Sequence, residues 1–185
     1  LQTQRFDLSA LLAEVAQSFA LAAEAKDIEL RLHLEPRLPR DVRGDEGRLR
    51  QILTNLVSNA VKFTPHSTPS APPERVVIEA NFSASADGER RLRIAVSDTG
   101  PGIDAGHSAS VFQRFERGAQ QHIEGTGLGL SISKALAERM GGALVIDDDT
   151  SAGTCFVLEI PLLVRSVGGG GGLQHQVVFY SDDEE

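Results

Sequence analysis

The stretch from Asp45 to Thr64 restricts the fold of this chain more than any other. Leu49, Ile52, Leu53, Leu56, Ala60 and Phe63 recur at helical spacing, and Pro65 closes the run. Such a helix must lay its apolar stripe against a second layer. Beside the stripe, Asn55, Asn59 and Lys62 fall at i, i+4 and i+7 and share one face. Polar groups at the edge of a buried stripe can point into a cleft. Two amides and an ammonium suit a metal–phosphate group, with amide oxygen for Mg2+ and ammonium for phosphate oxygen. On this segment alone, a solvated helix face is the more common explanation.

The second layer is legible in the alternating segments. Ile28, Leu30, Leu32 and Leu34 alternate with polar residues until Pro36 and Pro39, which reads as a strand with one buried face. Residues 76–82 and 91–98 alternate likewise, with an Asp87-Gly88 hairpin signal between them. Residues 143–148 and 154–161 give two more strands, joined by a turn at 150–153. An earlier amphipathic helix is expected over 7–26, carrying Leu8, Leu11, Leu12, Val15 and Phe19, with Asp7 as its cap. Another follows residue 130 and stops at Gly141-Gly142. Residues 65–73 read as a loop, and 103–124 as a loop holding one short helix around 111–115. Strands and helices mix without strict alternation. That predicts an α+β class, a two-layer α/β sandwich whose mostly antiparallel sheet of about five strands is covered on one face by about three helices.

Two glycine-rich turns carry further chemistry. The first, Asp98-Thr99-Gly100-Pro101-Gly102, ends a strand. Glycines there let backbone approach a flat ligand closely, and the carboxylate can accept a hydrogen bond from an exocyclic amine such as that of adenine. Guanine offers a carbonyl at that place and is disfavoured. An ordinary Asp-Gly turn explains the segment equally well in isolation. The second, Gly125-Thr126-Gly127-Leu128-Gly129-Leu130, leads into a helix and presents backbone N–H groups to an anion. It is not a P-loop, which requires a Gly-Lys-Ser/Thr ending, and Leu130 stands where a dinucleotide fingerprint needs its third glycine. A flexible hinge before a helix is the plain alternative.

In this order and spacing the segments resemble the N, G1 and G2 boxes of bacterial sensor histidine kinases, within the wider ATPase family that includes gyrase, MutL and heat-shock chaperones. The N box is residues 55–64, the G1 box 98–103 and the G2 box 125–130; Val111 to Arg117 is similar to the F box. The resemblance covers about residues 5–163. It implies an ATP-binding catalytic domain with ATP and Mg2+ as cofactors. Asn59 would be the Mg2+ ligand, Asn55 would support the metal–phosphate site, and Lys62 would contact phosphate. Phe63 would lie near adenine or sugar. Asp98 would bind the adenine amine, with Gly100, Gly102 and Ile103 shaping the turn. Gly125, Thr126, Gly127, Gly129 and Leu130 would form the phosphate-side loop, anchored by Leu128. Residues 104–124 would be a mobile ATP lid, docked by Phe112 and Phe115, with Arg114 or Arg117 reaching phosphate. In the hydrolysing branches the position of Asn55 carries a glutamate that activates water. An amide is a poor general base, which favours phosphoryl transfer to a protein histidine. A module that senses nucleotide or docks a partner without transfer is the alternative.

The resemblance also implies partners: a dimerising phosphoacceptor hairpin and a response-regulator receiver domain. None of His33, His66, His107, His122 and His175 sits in an acceptor-like helix, so the chain is expected not to phosphorylate itself, and without the dimerising hairpin it is expected to be a monomer. Residues 1–4 would end the preceding hairpin, 5–165 form the catalytic domain and 166–176 a glycine-rich linker. Residues 177–185 would start a receiver domain or be an engineered fusion. A net charge of −8 without a basic block argues against a nucleic-acid partner. One cysteine, Cys155, rules out a disulfide framework and fits a reducing compartment. No apolar run could cross a bilayer. The chain opens at Leu1 with Met140 its only methionine, so it reads as a piece of a longer protein, a cytoplasmic domain whose parent is open to membrane anchoring.

Overall fold

A computed structural model describes residues 2–84, 90–103, 111–112, 128–147, 152–164 and 175–179. The main sheet has the order β6(Ala143–Ile146), β7(Thr154–Pro161), β5(Arg90–Asp98), β4(Arg75–Ala84), β2(Glu29–Leu34), β9(His175–Phe179). β2 and β4 are parallel, with Leu32 beside Ile78, and the other pairs are antiparallel. A smaller sheet joins β1(Gln4–Asp7), β3(Asp41–Gly44) and β8(Leu163–Val164). The architecture is therefore the expected α+β sandwich. The small sheet has no sequence signal, since four- and two-residue strands are too short to show a period. The expected linker boundary at 176/177 falls inside β9, which pairs with β2 from Leu30 to Leu34. The Asp87-Gly88 turn and the end of the chain after Phe179 lie outside the described residues.

The helices are α1(Leu8–Ser18), α2(Ala20–Glu24), α3(Glu46–Phe63) and α4(Gly129–Arg139). Asp7 caps α1 by accepting the N–H of Ala10 at 2.9 Å, as its sequence position suggested. The expected first helix is broken at Phe19, whose backbone leaves helical geometry, and no Gly or Pro announces the break. Asp45 caps α3 through the N–H of Arg48 at 3.1 Å. Burial opposes ionisation of Asp45, but the N–H groups of Arg48 and Gln2 and the charge of Arg48 outweigh it and hold its pKa below the ordinary value.

One hydrophobic core lies between the sheet and the helices. Leu49, Ile52, Leu53, Leu56 and Val57 of α3 are fully buried against Ile78, Leu92, Ile94 and Leu158. Each such side chain contributes roughly 1.5–3 kcal/mol by leaving water. The opposite sheet face carries Arg31, His33, Glu79 and Arg93, around a small buried cluster of Ala95, Cys155 and Val157. α3 is thus pinned along one side, and the neighbouring side is left to line a cleft toward α4 and the end of β5.

Candidate nucleotide-binding site

The two ends of α3 meet different partners. At its middle, Asn55 Nδ2 donates to Ser133 Oγ on α4 at 3.0 Å. A Cβ added to Gly129 would lie 2.2 Å from Asn55 Oδ1, so only glycine lets α4 start this close to α3. Leu128 stands at the N-cap of α4 without a side-chain capping bond. Among the described residues, no side chain caps the first turn of α4, which is the positive end of the helix dipole. A cavity of about 530 Å3 opens here, lined by Arg50, Thr54, Asn55, Ser58, Gly129 and Ser133 among others. Asp98 does not line it; the cavity belongs to the Asn55 end alone.

At its C-terminal end, α3 meets the turn after β5. A Cβ on Gly100 would sit 2.9 Å from Asp98 Oδ1 and 3.2 Å from the Phe63 carbonyl oxygen. Asp98 Oδ1 accepts the N–H of Gly100 at 2.9 Å and of Thr154 at 3.3 Å. Among the described residues no bond falls on Oδ2. Burial raises the Asp98 pKa; the two N–H bonds oppose this, and the nearby Glu74 carboxylate adds to it. Glu74 itself accepts the Thr99 hydroxyl, and the N–H of Thr99 donates to the Arg75 carbonyl at 3.1 Å. The turn is thus riveted to the start of β4. Gly102 and Gly153 both hold positive φ, at 78° and 75°. A Cβ on Gly153 would lie 1.8 Å from the Asp98 carbonyl oxygen, so the turn before β7 needs glycine as much as the turn after β5.

The remaining sequence-chosen residues divide clearly. Asn59 and Lys62 are half-buried on the Asn55 face of α3, and Lys62 Nζ stands 5.9 Å from the centroid of the 39% exposed Phe63 ring. Ile103 and Leu130 pack on the core, and Leu128 is half-buried. Phe112 meets Phe156 edge-to-face at 6.0 Å with Lys134 over its ring at 5.0 Å, so this part of the expected lid segment is docked. Arg114, Phe115, Arg117, Gly125, Thr126 and Gly127 lie outside the described residues. Sequence reasoning missed Glu74, Ser133, Gly153 and Thr154, which act by holding Asn55 and Asp98. Gly153 beside Thr154 in a turn was the one visible signal. Among the described residues no cluster of three His, Cys, Asp or Glu could hold a metal. No described helix is long and apolar enough to cross a membrane.

An anchored carboxylate at the turn after β5 and a helix start packed on Asn55 both adjoin α3 in an α+β domain. Residues 44–164 match the model of the histidine kinase-, DNA gyrase B- and HSP90-like ATPase family, and the chain belongs to that family. Its similarity runs to sensor histidine kinases, and it is an ATP-binding catalytic domain of that type. It is 38% identical to the sensor histidine kinase AruS of Pseudomonas aeruginosa over 89% of this chain and 16% of that protein. It is 39% identical to the sensor protein GacS of Pseudomonas syringae over 85% of this chain and 17% of that one. The chain thus spans about a sixth of these relatives. Among solved structures, full-length ShkA in complex with AMPPNP matches with a TM-score of 0.75 and 35% identity, over 90% of this chain and 32% of that one. The catalytic domain of histidine kinase ThkA matches at 0.71 and 25% identity, over 87% and 98%.

Proposed function

We propose that this domain binds ATP with Mg2+ and donates the γ-phosphoryl group to a histidine on a separate dimerising hairpin, from which a response-regulator receiver domain is then served. The observation that carries the reading is Asn55. An amide tied to the start of α4 through Ser133 stands where the hydrolysing branches of the resemblance place a carboxylate, and an amide does not activate water. Asp98 Oδ2 would accept the adenine amine, because Oδ1 already holds two backbone N–H groups. Phe63 would flank the base or sugar. Asn55 and Phe63 are eight residues apart on α3, or about 12 Å at the helical rise, a span that suits an extended nucleoside triphosphate. Lys62 would meet phosphate, and the first turn of α4 at Gly129 and Leu130 would receive phosphate oxygens. Mg2+, when bound, would neutralise phosphate charge, with Asn59 as its protein ligand and Asn55 supporting the site.

Within a longer parent, residues 5–165 would be the donor domain, 1–4 the end of the acceptor hairpin and 166–176 a linker to a further segment. Phe115 and Arg117, with Gly125, Thr126 and Gly127, would belong to the lid and its phosphate-side hinge. The test is a two-component assay. The chain is mixed with a separately purified acceptor hairpin and γ-labelled ATP, and acid-labile, base-stable label is sought on the hairpin. Label on the hairpin, with little free phosphate released, is the expected result. ATP binding with no label on any acceptor hairpin of this kinase class would sink the transfer reading and leave a nucleotide-binding module.

A further inference from the structure

The C-terminal turn of α3 carries Lys62 and Phe63, and its backbone accounting is unusual. Pro65 comes next, and Thr64 is already extended at ψ 129°, so no onward helical N–H reaches the last carbonyls. The Ala60 carbonyl takes both the N–H of Thr64 at 3.1 Å and its hydroxyl at 2.7 Å. The Phe63 carbonyl faces Gly100. The other acceptors go to one side chain from another element. Lys26 Nζ donates to the carbonyls of Val61 at 2.8 Å, Lys62 at 3.1 Å and Thr64.

An ammonium has three N–H donors, and here all three are aimed at backbone oxygen at the negative end of a helix dipole. This is unlike a surface ion pair, because Lys26 is half-buried and its partners are fixed main-chain atoms. The end of α2 fixes its direction. The N–H of Ile28 returns to the Ala23 carbonyl at 2.9 Å and that of Asp27 to Glu24 at 2.8 Å, with Asp27 held at φ 54°. That left-handed closure turns the chain from α2 into β2 and delivers Lys26 to α3. The Lys26 carbonyl in turn accepts the N–H of Ser67, tying down the loop after α3.

We infer that Lys26 is a positioning residue for the nucleotide site, clamping the last turn of α3 so that Lys62 and Phe63 keep their places against the turn at Gly100. It touches no ligand itself. Its effect passes through three carbonyls, those of Val61, Lys62 and Thr64, which bracket Phe63. Burial lowers the Lys26 pKa, which fits an ammonium turned inward onto carbonyls.

This inference rests on the reading that Lys62 and Phe63 contact the nucleotide. The test is therefore calorimetric titration of ATP in excess Mg2+ into the full chain and four variants. Lys62→Met is the direct-contact control. Lys26→Met removes the clamp, and Lys26→Arg retains a cation with several donors. Leu8→Ala, in the core on α1, is the control for general softening without touching the clamp. Lys26→Met should weaken binding about tenfold, Lys26→Arg should stay within about threefold of the parent, and Leu8→Ala should bind like the parent. If Lys26→Met does not fold, Lys26→Gln, which keeps two uncharged donors, carries the same expectation. A folded Lys26→Met or Lys26→Gln binding within about twofold of the parent overturns the clamp while Lys62→Met still shows a loss. An equal loss in Leu8→Ala also overturns it, since general softening would then suffice. No loss in Lys62→Met removes the reading beneath it, and the inference falls with it.

Discussion

Asp98→Asn separates the two roles that the structure gives this residue. The side-chain volume is unchanged, and the amide has one acceptor oxygen. That oxygen is claimed by the N–H groups of Gly100 at 2.9 Å and Thr154 at 3.3 Å. The NH2 group must then point where Oδ2 stood. Against an adenine amine this places donor against donor. A hydrogen bond to a charged acceptor is worth about 1.5–3 kcal/mol, and the unmatched donor costs about 1–3 kcal/mol more. Together these come to roughly 2.5–6 kcal/mol, or about two to four powers of ten in Kd. Guanine presents a carbonyl at that position, so the same variant should narrow the preference for ATP over GTP.

The unliganded variant should move the other way in stability. Burial raises the Asp98 pKa above its unfolded value. A carboxyl shifted upward costs stability once ionised, above its folded pKa, and the cost fades as pH falls through that pKa. The variant carries no such charge. It should therefore melt higher than the parent at neutral pH, with the gap closing toward acid. Calorimetric titration with ATP and GTP, and melting curves from pH 7 down to about pH 4, read both effects. ATP binding within about fivefold of the parent, or a variant that melts lower at neutral pH, refutes the reasoning.

Gly129→Ala would put a methyl group 2.2 Å from Asn55 Oδ1, so α4 must shift or Asn55 must leave Ser133; the fold should survive while ATP affinity falls at least about tenfold, read by titration beside a circular dichroism spectrum. Gly153→Ala combines a φ of 75° with a clash 1.8 Å from the Asp98 carbonyl, and should cost about 2–4 kcal/mol in chemical denaturation besides weakening ATP binding. Cys155 is 4% exposed and burial raises its thiol pKa, so a thiol-reactive dye at pH 7 should label it only after denaturant is added. Rapid labelling of the native chain would show that the cluster with Ala95 and Val157 opens.

Long periodic segments were legible and contacts between segments were not. The stripe of α3 and the alternation in β2, β4, β5 and β7 are local, and they fix which faces meet. Asp7 could be found as a cap because a cap acts within three residues. Ser133 could not be found, since its partner Asn55 lies 78 positions away. Glu74 and Lys26 read as ordinary surface charges until the fold brings them to Thr99 and to the end of α3. The break at Phe19 has no local signal either. The glycine boxes were legible as motifs, but their physical need was not. That Gly129 admits Asn55, and that Gly153 admits the Asp98 carbonyl, are facts of packing between elements.

Several such packing constraints fall beside Asn55 and Asp98. A half-buried carboxylate with a raised pKa, two positive-φ glycines and a helix start with no cap among the described residues lie near α3, while α3 buries its other side in leucine and valine. Placed at random, such features would only weaken the fold. Each, however, offers something a nucleotide can use. Asp98 Oδ2 offers an acceptor to an amine, the α4 start offers N–H groups to an anion, and the glycines give close access to a flat ring. The ligand would satisfy groups that the protein leaves unsatisfied, and its binding would restore stability that the site gives up. The same logic explains why Lys26 is needed. The last turn of α3 lies between a proline and a glycine turn, and without a cation across its carbonyls it would be the weakest joint in a cleft that depends on fixed positions.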